Sequence, residues 1–347
     1  MARSAFFITD VKIAVVGCGA VGSYYGASLG RAGHEVHFLL RSDYEAVRRN
    51  GVTIQSPQGD FNLHPRCARV PEEIGPSQVV LIGLKTTANN QFPALLPPLV
   101  GSKTAVVTLQ NGLGNEEDLE RLFPAAQILG GLCFVCLNRI APGVIRHLDH
   151  GQVVLGEFRR LPEPRTHEIA SAFRDAGVPC KVTDNLERAH WEKLVWNIPF
   201  NGLGVASAAG LEALLAGSNA SPRPPLNDVA GAPGAEEPLL PCLTTDRLLG
   251  DPRWERLVRE LMQEVIAAAA ALGFRIESSF AEDLIERTRT MGAYKASTIL
   301  DFENGLPLEM ETLFVEPFMR AQKAGVAVPR MEALAAVLVE LDRRRGA

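Results

Sequence analysis

The sequence predicts an α/β fold in two parts, a doubly wound parallel sheet followed by an all-helical C-terminal half. The first part is indicated by an uncharged strand at residues 13–16 that leads directly into a glycine-rich turn. Strand and helix patterns then alternate up to about Asp184, and only helix patterns follow. We therefore expect two domains, residues 1–184 and 185–347, with a substrate cleft between them.

Length and composition limit the class of protein. The 347 residues allow about two domains, and 46% hydrophobic with 22% charged residues is ordinary for a globular chain. A net charge of -5 gives no electrostatic basis for binding nucleic acid or a membrane surface. The six cysteines form no disulfide framework, and no His, Cys or carboxylate cluster has metal-site spacing. Residues 1–10 are too short for a signal peptide or a membrane span, so we expect a cytoplasmic protein.

The glycine-rich turn follows the first predicted strand and leads into a helix at residues 23–31. Gly17, Gly19 and Gly22 match the pattern G-x-G-x-x-G, in which the glycines allow a tight turn, admit a pyrophosphate and let helix and strand pack closely. The positive end of the helix dipole would face the phosphates. The motif predicts a Rossmann-type dinucleotide site, since the flanking strands and helix argue against a turn without a ligand. The predicted pyrophosphate loop consists of Gly17, Cys18, Gly19, Ala20, Val21 and Gly22.

The second strand, predicted at residues 34–40, indicates which dinucleotide binds. NAD sites carry Asp or Glu about 20 residues beyond the glycines, whereas NADP sites place an Arg near the 2′-phosphate. Here Arg41 follows the strand with no acid at its tip, and Arg48 and Arg49 lie on a predicted helix. We therefore expect NADP(H), with Arg41 as the phosphate ligand. The alternative is a solvated surface arginine.

Two later strands end in polar residues, at the edge where open α/β sheets bind their ligands. A strand at residues 79–84 is followed by Lys85, and a strand at 103–109 is followed by Gln110 and Asn111. The remaining elements predicted in this half are strands at 51–55, 61–63, 128–137, 143–148, 152–157 and 180–183, and helices at 116–123 and 167–176. Of these strands, 143–148 and 152–157 are expected to form an antiparallel pair.

The C-terminal half begins with a predicted helix at residues 186–205 that carries a polar stripe. Lys193, Asn197 and Asn201 recur every four residues and therefore share one face among apolar neighbours. A lysine can protonate a carbonyl oxygen as hydride arrives, and asparagines can bind a carboxylate or hydroxyl. The spacing alone fits a solvated lysine between surface asparagines equally well. Further helices are predicted at 253–272, 281–292, 308–324 and 331–345, and the proline-rich residues 217–241 are expected to form a mobile surface insertion.

Five motifs in order make the sequence resemble the ketopantoate reductase (2-dehydropantoate 2-reductase) family. They are KIAVVGCGAVGSYYG from Lys12, LKT from Leu84, QNGLGN from Gln110, HWEKLVWNIPFN from His190 and ASTILDFENGLPLE from Ala296. The resemblance covers residues 12–329. It implies NADPH-dependent reduction of 2-dehydropantoate to pantoate, on the route to pantothenate and coenzyme A.

The resemblance also implies roles around the cofactor. Arg41 and Lys85 resemble the family's NADP contacts, as the glycine loop resembles its pyrophosphate site. Asn111 matches the asparagine between nicotinamide and substrate. Lys193 matches the catalytic lysine, which acts as general acid on the keto oxygen while the nicotinamide delivers hydride to the neighbouring carbon.

On the substrate side, Asn197 and Asn201 match substrate-binding asparagines, Ser297 the serine that holds the carboxylate, and Glu309 the acid that binds a substrate hydroxyl beside the cofactor. From the residues alone, Ser297 and Glu309 simply bracket a turn. The sequence departs from the family pattern around this acid, over residues 308–317. The alternatives are therefore a reductase of another 2-oxo acid, or an NADP-sensing protein without catalysis. The helical half is compatible with a homodimer and equally with a monomer.

Overall fold

A computed structural model describes residues 11–216 and 239–346. The chain divides into two compact units, one ending at His190 and the other beginning at Trp191. The division falls within helix α6 (Leu186–Ala206), whereas the boundary predicted from the sequence lies just before that helix. The predicted insertion at 217–241 lies outside the described residues up to residue 238.

The first unit is an α/β unit built on one sheet. Its strands are β1 (Lys12–Val16), β2 (Glu35–Leu39), β3 (Val52–Gln55), β4 (Phe61–Leu63), β5 (Arg66–Ala68), β6 (Ser77–Ile82), β7 (Val100–Thr108), β8 (Ile128–Ala141), β9 (Val144–Glu157) and β10 (Cys180–Val182). Its helices are α1 (Ala20–Arg31), α2 (Tyr44–Asn50), α3 (Phe92–Leu95), α4 (Asn115–Glu120) and α5 (Pro164–Asp175). Helix α6 begins four residues after β10.

The sheet is mixed, with a parallel Rossmann-like part. The spatial order is β4-β3-β9-β8-β7-β6-β1-β2-β5, and β10 pairs with β9. Strands β5, β2, β1, β6, β7 and β8 run parallel to one another, whereas β9 runs antiparallel to β8. Only two residues separate β8 from β9, and so short a connection can join only antiparallel strands. The predicted fold class is thus confirmed, with an antiparallel extension at one side of the sheet.

The predicted antiparallel pair of strands 143–148 and 152–157 is wrong, because both segments belong to the single strand β9. β9 pairs along its length with β8. His150 and Gly151 have φ values of 62° and 129°, and the register shifts where Gln152 and His150 face Phe134 and Val135. The residues that suggested a turn therefore form a bulge, in which one extra residue is accommodated without ending the strand.

Residues 13–16 of strand β1 are buried on both faces of the sheet, as their uncharged sequence predicted. Ile13 and Val15 belong to one hydrophobic cluster with residues of α1 and α5. Ala14 and Val16 belong to a second cluster on the other side of the sheet. Helix α1 also contacts β3, β4, β8 and β9, so that the sheet curls around this helix.

The second unit is helical over its described residues. After α6 it contains α7 (Leu211–Ala216), α8 (Thr245–Gly250), α9 (Pro252–Ala271), α10 (Ser279–Arg289), α11 (Ser297–Glu303), α12 (Glu316–Lys323) and α13 (Pro329–Gly346). Glycines allow α6 to pack closely on its neighbours. A Cβ atom on Gly202 would lie 2.5 Å from Leu334 of α13, and one on Gly204 would lie 2.4 Å from Ile299 of α11.

The predicted helix at 308–324 is wrong in its first turn. A π-helical turn, Glu311–Val315, precedes α12 there. Pro317 gives the physical reason, because a proline has no N–H to donate and its ring clashes with the carbonyl four residues earlier. A wider turn before it relieves both problems, and π turns of this kind are frequent at functional sites.

None of the helices in the described ranges combines the length and apolar character that a membrane crossing requires.

Candidate active site

The glycine loop connects β1 to α1, and two of its glycines are required by the protein's own backbone. Gly17 has a φ of +91°, and a Cβ atom there would lie 2.2 Å from the amide nitrogen of Leu84. A Cβ atom on Gly22 would lie 2.2 Å from the carbonyl oxygen of Gly17. These contacts pack the start of α1 against the end of β6. They explain the first and third positions of the motif without any ligand.

Gly19 differs from both, because a Cβ atom there would meet nothing within 4 Å. Gly19 is the N-cap residue of α1, with φ -76° and ψ -153°, a conformation open to other residues. It offers no capping side chain, and the first turn of α1 contains no acidic residue. The first turn of α1 therefore begins beside an open space at a glycine, and such a helix N-terminus suits a pyrophosphate.

Cys18 ties this loop to the second strand. Its thiol donates to the carbonyl oxygens of Val15 and Leu39, each at 3.5 Å, and the Cys18 carbonyl oxygen accepts from Ser23 Oγ at 2.9 Å. Burial, followed by the nearby Cys67, raises the pKa of the Cys18 thiol well above its usual value. The thiol is therefore neutral, and its contacts fix the loop against β2 rather than supply a nucleophile.

The tip of β2 presents one arginine and, two residues later, a carboxylate that sequence reasoning missed. Arg41 is exposed and forms no ion pair within the described part of the chain. Asp43 is buried, and its carboxylate accepts from Arg139 at the far end of β8, from the Ser42 hydroxyl and from the Gly143 amide. Burial works against the ionised form, but these hydrogen bonds outweigh it, and the pKa of Asp43 falls below its usual value.

Polar residues gather beyond the ends of β6 and β7. β6 ends at Ile82, two residues earlier than predicted, and the exposed Lys85 begins a 3-10 turn. Asn89 of that turn accepts from Gln110 at 2.8 Å and donates to Asn115 at 3.0 Å, linking the loops after the two strands. Asn115, which is fully buried, donates at 3.0 Å to the backbone carbonyl of Asn111. The Asn111 backbone is thus held by a network of carboxamides, of which Asn89 and Asn115 were not predicted.

In the helical unit, the predicted polar stripe lies on the single helix α6. Lys193 is half-buried, while Asn197 and Asn201 are 7% and 3% exposed. The carboxamide oxygen of Asn201 accepts from the amide and hydroxyl of Thr298, at 3.1 and 2.9 Å, and from the Ser297 hydroxyl at 3.4 Å. Asn201 therefore caps the N-terminus of α11 from a neighbouring helix.

Two of the predicted substrate residues, Asn201 and Ser297, are thus brought into contact. Glu309 is 5% exposed and lies in the segment between α11 and the π-helical turn. Its backbone carbonyl accepts from the amide of Leu313 at 3.3 Å. The roles predicted for these side chains toward a substrate remain predictions.

His190, the last residue of the first unit, forms a buried pair that sequence spacing could not reveal. Its Nε2 atom lies 3.0 Å from Oε1 of Glu116, and the two residues are 7% and 3% exposed. Within the described ranges, no group of three or more His, Cys, Asp or Glu side chains is arranged to hold a metal ion.

Comparisons with known proteins agree over almost the whole chain. Residues 13–160 match the family model described as "Ketopantoate reductase PanE/ApbA", and residues 239–342 match "Ketopantoate reductase PanE/ApbA C terminal". A 2-dehydropantoate 2-reductase from Nostoc sp. is 37% identical, over 97% of this chain and 97% of that protein.

Solved structures give the same result. The structure of a 2-dehydropantoate 2-reductase from Geobacter metallireducens GS-15 has a TM-score of 0.82 and 45% identity, and the match covers 95% of this chain and 99% of that one. A second, from Methylococcus capsulatus, has a TM-score of 0.82 and 31% identity, covering 97% and 98%.

Proposed function

Because the chain belongs to the ketopantoate reductase family, we propose that it reduces 2-dehydropantoate to pantoate with NADPH. The observation that carries the proposal is that both family models match and that proteins named 2-dehydropantoate 2-reductase are 37% and 45% identical to this chain over nearly its whole length. The sequence retains a lysine and two asparagines on α6, and a serine and a glutamate farther on, at the positions that match the family's substrate site.

The cofactor proposal rests on the residues of the first unit. The open space at Gly19 and the N-terminus of α1 fit a pyrophosphate. Arg41 is exposed at the tip of β2 and forms no ion pair among the described residues, so its guanidinium can bind a 2′-phosphate. The acid that follows it, Asp43, has its carboxylate oxygens engaged by other groups and is unavailable to ribose hydroxyls. These features favour NADP(H) over NAD(H).

NADPH, held by the glycine loop and Arg41, would supply the hydride that reduces the keto carbon. Lys193 donates a proton from its Nζ atom to the keto oxygen, which becomes the new hydroxyl, and the lysine then regains a proton from solvent. Ser297 binds the substrate carboxylate, and the half-buried position of Lys193 limits the water that competes for its proton. Asn201 holds Ser297 in place through the hydrogen bond between their side chains.

A second candidate substrate, another branched or hydroxylated 2-oxo acid, is favoured by one observation. The sequence departs from the family pattern next to Glu309, and the π-helical turn Glu311–Val315 begins two residues after that acid. Different side chains beside the acid change the surroundings that a substrate hydroxyl would meet there.

The test is NADPH oxidation with 2-dehydropantoate beside a panel of other 2-oxo acids. Lys193→Ala is expected to lower kcat by about 10²–10⁴-fold while NADPH still binds. Lys323→Ala removes an exposed lysine of the same unit and is the matched control, expected to behave as wild type. Turnover of another acid alone would favour the second candidate. NADPH binding without turnover of any acid would indicate a dinucleotide sensor instead.

A further inference from the structure

Asp43 lies near the position at which NAD-binding folds carry an acidic residue for the ribose. Asp43 lies just beyond the end of β2, about 20 residues after the glycine motif. A free carboxylate there would accept hydrogen bonds from ribose hydroxyls and would repel a 2′-phosphate. The sequence around it therefore contains both the arginine expected of an NADP site and the acid expected of an NAD site.

The carboxylate of Asp43 is fully engaged inside the protein. Arg139 donates from Nε to Oδ2 at 2.9 Å and from Nη2 to Oδ1, a bidentate ion pair. The Gly143 amide donates to Oδ2 at 3.2 Å, and Ser42 Oγ donates to Oδ1 at 3.0 Å. The Asp43 side chain is 8% exposed. Both oxygens therefore have partners, and the negative charge is balanced by a guanidinium from near the C-terminal end of β8.

The other charges near the tip of β2 follow the same pattern. Glu45, on α2, pairs with Arg69 at 2.6 Å and with Arg48 at 3.6 Å. Arg41 and Arg49 form no ion pair within the described residues. Asp43 and Glu45 are thus each paired with an arginine, whereas the positive charges of Arg41 and Arg49 are not balanced by an ion pair in the described part of the chain.

We propose that Arg139 is a specificity-determining residue, which selects NADP(H) by neutralising Asp43 so that no negative charge opposes Arg41 at the ribose 2′-position. Arg139 acts through Asp43 and has no contact with the cofactor in this scheme. The inference rests on the proposed function, because it takes NADP(H) as the cofactor.

The experiment measures dissociation constants for NADPH and NADH by the fluorescence of the reduced nicotinamide, which requires no substrate. Arg139→Gln leaves the charge of Asp43 without its counter-ion, so it is expected to weaken NADPH binding by at least about fivefold without weakening NADH binding. Because the effect is electrostatic, it should shrink at high salt. The double variant Asp43→Asn/Arg139→Gln has neither charge and should regain the wild-type preference for NADPH.

Two further variants keep the test decisive if Arg139→Gln fails to fold. Asp43→Asn leaves the Arg139 charge unopposed, so the preference for NADPH should stay or rise, and a fall would overturn the proposal. Arg146→Gln removes an exposed arginine of the neighbouring strand β9 and should change neither constant.

A merely structural role for Arg139 predicts a different result, in which both cofactors weaken equally and the double variant does not restore their ratio. That result overturns the inference and leaves the proposed function standing. A wild-type protein with no preference for NADPH would overturn the cofactor proposal, and the inference with it.

Discussion

Gly19 gives the sharpest test of the dinucleotide site, because the structure separates it from the two glycines beside it. A Cβ atom on Gly19 meets no protein atom within 4 Å, whereas one on Gly17 would lie 2.2 Å from the Leu84 amide nitrogen. Alanine at position 19 should therefore leave the folded protein intact. It should fill the space where the pyrophosphate approaches the start of α1.

The magnitudes differ enough to measure. For Gly17→Ala, the clash costs about 1–3 kcal/mol and the left-handed backbone costs about 1–2 kcal/mol. A total near 3 kcal/mol lowers the melting temperature of a unit of this size by about 6–12 °C. For Gly19→Ala, the free energy of unfolding should stay constant or rise by up to about 1 kcal/mol, since alanine restricts the unfolded chain. Its affinity for NADPH should fall at least about tenfold, or 1.4 kcal/mol.

The assay is thermal unfolding without cofactor, followed by NADPH titration of each folded variant. Gly19→Ala should separate the two measurements, with a normal melting temperature and weak binding. If Gly19→Ala melts as early as Gly17→Ala, or if it binds NADPH as tightly as wild type, the interpretation of this glycine as a ligand-approach position is refuted.

Asn89→Leu should lower the free energy of unfolding by about 1–3 kcal/mol and slow turnover, because it breaks the hydrogen bonds that link the loops after β6 and β7. The control is Asn90→Leu, at an exposed position of the same turn. Equal losses of stability for the two variants in urea unfolding would contradict this link. Asn201→Leu should cost a similar amount by leaving the Thr298 amide and hydroxyl without their acceptor, which thermal unfolding would detect. Because the pKa of Asp43 is lower in the folded protein than its usual value of 3.8, its ionised carboxylate stabilises the fold at a pH above 3.8. This stabilisation is lost as the pH falls through the pKa of the folded state. The difference in melting temperature between wild type and Asp43→Asn should therefore begin to shrink as the pH falls below about 3.8, and a constant difference would exclude this linkage.

The parts of the fold that the sequence predicted depend on local signals. An apolar run followed by glycines at fixed spacing marks β1 and α1, since both the turn and the close packing require glycine at particular positions. The four-residue recurrence of Lys193, Asn197 and Asn201 likewise needs only a continuous helix. Such features depend on residues that are close in sequence, so they can be predicted from the sequence alone.

The features that escaped prediction depend on partners far away in sequence. Asp43 is defined by Arg139, 96 positions later, and no pattern around either residue indicates that they meet. His150 and Gly151 have the composition of a turn, but pairing of β9 with β8 converts them into a bulge. In each case tertiary contacts overrode or completed what local preference suggested.

The position of β3 has a consequence for how the first unit folds. β3 follows β2 in the sequence but pairs with β9, where Thr53 faces Val144. The hairpin of β3 and β4 joins the rest of the sheet through β9, so during synthesis the edge of β3 that pairs with β9 has no strand partner until β9 has emerged. Closing so long a loop is slow, and exposed strand edges invite aggregation. We therefore expect the rate of folding of this unit, and its need for chaperones, to be governed by the late arrival of β9.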